Sequence, residues 1–124
     1  MAGHHSRPVP GGRGFWSAER LWTLARDLPV RRVPIAAIPE FEQDCWFGPT
    51  NPPTCKAVAA HARRIYDADL AHPVILTADG GLMDGGHRIA KAWLLGHTTI
   101  AAVQFPHDPA PDYILPDADS SSMP

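Results

Sequence analysis

Apolar positions along the chain follow two spacings, and each change of spacing marks an element. Pro73-Val74-Ile75-Leu76-Thr77 is apolar and β-branched, the composition of a half-buried strand. Ala78-Asp79-Gly80-Gly81 follows, and Asp-Gly between apolar runs is a strong hairpin signal, so Leu82-Met83 reads as the returning strand. After Gly85-Gly86 the spacing becomes helical. Ile89, Ala92 and Trp93 fall at i, i+3 and i+4, with Gly96 in the place of a helix stop and Trp93 assigned to the core. Thr98 to Val103 resumes strand composition. The predicted order over this half is hairpin, glycine corner, helix, strand.

The first half carries weaker versions of the same signals. Ser17 is a good N-cap with Glu19 in the first turn, and Leu21, Leu24, Ala25 and Leu28 repeat at helical spacing until Pro29, predicting a helix over 17–28. Phe15 before the cap is placed to staple onto Leu21 or Trp22. Arg31 to Ile35 reads as a short strand, which Pro34 confines to an edge or a bulge. Thr54 caps a second predicted helix from Cys55 to Tyr66, with Val58, Ala62 and Ile65 as its inward stripe. Together these elements predict an α+β fold, a small mixed sheet with packed helices in a single domain.

Composition sets the boundaries. A chain of 124 residues with 44% hydrophobic content builds one modest domain. Met1 to Gly14 is rich in glycine and proline and is expected to be a disordered leader, leaving 15–105 as the domain and 106–124 as a proline-rich flexible tail. A net charge of −2 provides no broad basic surface, so nucleic acid is not an expected partner on its own. No run reaches the length of a membrane span and no signal sequence opens the chain, so cytoplasm is the expected compartment. Cys45 and Cys55 are then expected to be reduced, and with the scattered histidines they match no zinc spacing; no protein-held metal site is expected.

The chemistry concentrates at the glycine corner. A helix start leaves backbone N–H groups without partners and carries partial positive charge, which suits a phosphate. His87, Arg88 and Lys91 add basic side chains to that same end, where they are the wrong sign for the helix dipole. Such an end is suited to a bound anion. The plainer alternative is a tight turn followed by a solvated basic face. Asp84 sits at the strand's end and is expected first to hydrogen-bond the corner's own backbone, and second to face a magnesium ion.

Asp84-Gly85-Gly86-His87-Arg88-Ile89-Ala90-Lys91-Ala92, placed after Pro73-Val74-Ile75-Leu76 and before Gly96, resembles the phosphate-binding box of the ParB/sulfiredoxin-like superfamily. The resemblance spans about residues 31 to 105 and is sharp over 73 to 96. It implies that Gly85, Gly86, His87 and Arg88, with Asp84 and Lys91 beside them, bind the phosphates of ATP, ADP or CTP with Mg2+. It also places Glu40 and Glu42 as candidate general bases, with Asp44 as a magnesium-facing group; the alternative for these three is an acidic loop in water. The sequence departs from sulfiredoxins in lacking a cysteine between Gly86 and His87, and from partitioning proteins in lacking their glutamate and second arginine in the box.

Two functional classes follow. The first is a nucleotide- or phosphate-binding domain, with phosphoryl transfer or nucleotide hydrolysis as its chemistry if it is an enzyme. The second is a non-catalytic interaction module of the same fold, engaging a protein partner or a second copy through Phe15, Trp16 and Trp22 of the N-terminal helix. A DNA-binding or nuclease-like role is a third reading, against which stands the absence of a clustered carboxylate set.

Overall fold

The computed structural model describes residues 3–117. It is a single small α+β domain, as the spacing of apolar residues predicts. A hairpin of β1 (His4–Val9) and β2 (Gly12–Ser17) leads into α1 (Ala18–Ala25) and then β3 (Arg31–Pro34). Two 3-10 turns, Ile35–Ala37 and Pro39–Glu42, and an irregular loop precede α2 (Cys55–Asp67). β4 (Val74–Leu76), β5 (Leu82–Asp84), α3 (Gly86–Leu94), β6 (Thr99–Gln104) and β7 (Tyr113–Pro116) complete the chain.

Four strands form the central sheet in the order β3-β6-β4-β5. β4 runs parallel to β6, which requires a crossover, and α3 supplies it. β3 pairs antiparallel with β6 at one edge, where Pro34 removes no hydrogen bond the sheet needs. Alternate residues of these strands feed two cores, as the twofold period of a strand requires. Val74, Leu76, Leu82, Ile100 and Ala102 face one side and pack with Val33, Ile35, Ile89 and Ala92. Ile75, Met83, Val103 and Phe105 face the other and pack with Trp16, Leu21 and Ala25. The sheet is therefore covered on both faces, by α3 on one and by β2 with α1 on the other.

That second cover corrects the expected boundaries. Residues 4–9 and 12–14, expected in a disordered leader, form strands of a second sheet ordered β1-β2-β7. Its third strand comes from the expected flexible tail, with Tyr113 opposite Phe15 and Pro116 opposite Gly12. The physical reason is that a strand apolar on both faces must be covered on both. Residues 1–2 and 118–124 of those two expected segments lie outside the described residues. Phe15 stacks on Tyr113 at 4.9 Å rather than stapling onto α1, whose start is capped by Ser17.

Two assignments within the helices also change. α2 has no buried residue; Ala57, His61 and Ile65 are its half-buried side, and Val58 and Ala62 face out. Trp93 is 58% exposed and meets Phe41 at the surface instead of entering the core. Among the described residues, no helix is long and apolar enough to cross a membrane.

Candidate functional site

The corner between β5 and α3 has the geometry its glycines permit. Gly85 adopts φ +128°, and a Cβ there would lie 2.5 Å from a methyl carbon of Val74, so both conformation and space require glycine. Gly85 is also the N-cap of α3 and has no side chain with which to cap it. Among the described residues, no hydrogen bond is made to the amides of Gly86, His87 or Arg88. These are the orphan donors of a helix start, and all three residues line a cleft of about 1220 Å³. Trp46 leans over the corner, its Nε1 placed 3.3 Å from where a Cβ on Gly86 would be. No acceptor for that indole N–H is present among the described residues, so a fourth donor stands beside the three amides.

What holds Trp46 there is a pair of histidines. His61 Nδ1 of α2 and His87 Nε2 of α3 are hydrogen-bonded at 2.8 Å, their rings nearly coplanar at 14°. The indole lies flat on both, with centroids 4.8 Å and 4.7 Å away. One ring must donate and the other accept, which favours two neutral rings over two charged ones. Burial lowers the pKa of His87 to about 4, with the nearby His61, Arg64 and Arg88 acting in the same direction. His61 is lowered too, first by burial and then by Arg64. The loop bearing Trp46 is fixed by Asp44, whose carboxylate accepts from the amides of Trp46, Phe47 and Gly48. Those bonds hold the Asp44 pKa below its usual value and fold the loop around the carboxylate.

The basic side chains expected to charge the corner are engaged elsewhere, and this corrects the expected source of positive potential. Arg88 donates to Asp84 at 2.5 Å and to the carbonyls of His72 and Pro73 at 3.1 and 2.7 Å. Lys91 donates to the carbonyls of Tyr66 and Ala68 at the end of α2, both at 2.7 Å, and does not reach the cleft. His87 is neutral at pH 7. The donors left open at the corner are therefore backbone amides and an indole rather than the three basic side chains.

Asp84 accepts from Arg88 and, at 2.8 Å, from Trp22 Nε1. It ties α1 and α3 to the end of β5, and it bonds side chains instead of the backbone of its own corner. Glu40 lies on the cleft wall and accepts from the Leu82 amide at 2.9 Å; Glu42 is exposed and away from the cleft. The two glutamates are thus not equivalent, and only Glu40 is brought to the site. Among the described residues, no group of three or more His, Cys, Asp or Glu is placed to hold a metal ion. Of the aromatic residues expected to form an N-terminal docking face, Trp16 belongs to β2, is buried and donates to the carbonyl of Pro109, while Trp22 stays half exposed and donates to Asp84.

Sequence reasoning missed several members of this cleft. Trp46 and His61 belong to the corner only through tertiary contact, although Trp46 follows Asp44, whose capacity to fold a turn upon itself is readable. His5 and Arg7 line the cleft from β1, within the span expected to be disordered. In comparisons with known families, curated proteins and solved structures, the chain matches none.

Proposed function

We propose that this domain binds a nucleotide or another phosphate-bearing small molecule, with one phosphate seated at the start of α3. The observation that carries the reading is a helix N-terminus whose three free amides open on a cleft of about 1220 Å³. The indole N–H of Trp46 supports it as an additional donor. The resemblance of Asp84 to Ala92 to the ParB/sulfiredoxin-like phosphate box supports it independently, and with it we infer a small stand-alone member of that superfamily. Gly85 supplies the turn, Gly86 and His87 the amides, and Arg88 and Asp84 brace the corner from behind.

The chemistry we infer for such a site is phosphoryl transfer or nucleotide hydrolysis, in which positioning and charge stabilisation contribute most of the effect. Glu40 is the carboxylate at the cleft wall that would serve as base or face the magnesium brought by ATP, ADP or CTP. Glu42 has no part in it.

A thermal-shift panel of ATP, ADP, CTP, GTP and pyrophosphate, with and without magnesium, tests the binding. A ligand present at a hundred times its Kd stabilises the folded state by about 2.7 kcal/mol. Gly86→Asp places a negative charge where the phosphate would sit and is expected to remove that stabilisation. Trp46→Phe keeps a ring on the histidine pair and loses only the N–H, and is expected to reduce it. A wild-type protein that no phosphate compound stabilises would contradict the reading.

A further inference from the structure

Two residues that line the same cleft each carry a buried polar atom without a partner. Nη1 of Arg7 and Nε2 of His5 are both enclosed, and neither makes a hydrogen bond. Orphaned polar atoms of this kind are uncommon in folded proteins and carry a desolvation cost. Both belong to β1 and, two residues apart, to one face of that strand. Arg7 forms no ion pair among the described residues, as is true of every arginine described except Arg88 on Asp84 and Arg20 on Asp112; what sets it apart is the buried, unbonded Nη1.

The carboxylates near Arg7 bond other donors, although Glu40 keeps its Oε2 free beside Gly81, where Arg7 Nη2 also lies, and Arg7 helps to lower the pKa of Asp79. Asp79 accepts from the Thr77 hydroxyl and the Gly81 amide, Glu40 from Leu82, and Asp84 from Arg88 and Trp22. His5 brings hydrogen-bonding capacity rather than charge, because burial and the adjacent Arg7 lower its pKa to about 4. Arg7 is thus a guanidinium at the cleft wall that no carboxylate contacts as an ion pair, with Glu40 and Asp79 in its neighbourhood.

Its position along the cleft is fixed by β5. A Cβ on Gly81, just before that strand, would lie 3.3 Å from Arg7 Nη2, whereas Gly85 just after it turns into α3. Four residues of extended chain span about 13 Å, more than a single phosphate can bridge. We propose that Arg7, with His5 beside it, forms a second anion subsite, so that the ligand is a polyphosphate chain laid along β5 from the start of α3 to the β1–β2 hairpin. This rests on the phosphate reading of the corner and specifies its ligand class as a nucleoside di- or triphosphate rather than a monophosphate.

The test uses inorganic phosphate and inorganic triphosphate as probes, titrated calorimetrically into the full chain and into Arg7→Met. Methionine keeps the length and flexibility of the side chain while removing the orphaned donors. The unliganded variant is therefore expected to unfold at the same temperature as wild type or higher. Its affinity for triphosphate is expected to fall roughly tenfold or more, with affinity for phosphate unchanged. An Arg7→Met protein that binds triphosphate as tightly as wild type overturns the second subsite, whatever its stability. Failure of wild type to bind either probe would instead remove the corner reading on which the subsite rests.

Discussion

The starts of α2 and α3 are the same structural feature resolved in opposite ways. Thr54 closes α2 by accepting from the Ala57 amide at 3.1 Å, much as Ser17 closes α1 by accepting from Arg20. Nothing among the described residues closes α3, because its N-cap is Gly85 at φ +128°, where a side chain is excluded by both strain and Val74. The comparison teaches where this chain completes its own hydrogen bonding and where it does not. Ends that serve only the fold are capped internally. The end that opens on the cleft keeps its donors available and has a neutral aromatic platform, Trp46 on His61 and His87, built beside it.

Forcing the α3 start to resemble the others should be the most damaging change. Gly85→Ser introduces a capping residue, yet its Cβ meets Val74 and its φ is unfavourable, so unfolding by urea should show a loss of about 2–4 kcal/mol. A loss below about 1 kcal/mol would mean that the corner is loose and that glycine is not required there.

Acid should separate the two ends next. The His87 ring takes up a proton near pH 6.5 when unfolded but only near pH 4 when folded, and His5 behaves alike. The unfolded chain then binds more protons across that interval, so stability is full above pH 6.5 and declines as pH falls toward 4. His87→Gln should flatten part of that decline in a thermal-melt series, because it removes one of the titrating rings. An unchanged slope would place the His61–His87 pair in water rather than under the indole.

The smallest expected effect is at α2. Thr54→Ala should cost about 1 kcal/mol in urea unfolding and leave every phosphate-induced thermal shift intact. A change in ligand response there would mean that the two helix starts are not functionally distinct.

The elements from Val74 to Val103 were legible because each is specified locally, by Asp-Gly at the hairpin, paired glycines at the corner and helical spacing after it. The hairpin of residues 4–17 was not, since its strands carry Arg7, Arg13 and paired histidines and its second strand is flanked by β7, about a hundred residues away. A clue was nevertheless present: Val74, Ile75 and Leu76 in succession are apolar on both faces and imply a second cover. At the site, the glycines were readable from their chemistry. The destinations of Arg88 and Lys91 were not, because carbonyls of His72, Pro73, Tyr66 and Ala68 become their acceptors only when the elements pack.

The backbone amide resonances of Gly86, His87 and Arg88, followed by NMR as ATP with magnesium is added, report most directly on whether this helix start is a phosphate seat. The expected result is that these three amides shift most, together with the Trp46 indole N–H, while the amides of Ala57 and Arg20, already bonded to Thr54 and Ser17, stay in place. Saturating nucleotide that leaves Gly86, His87 and Arg88 unmoved would contradict the account.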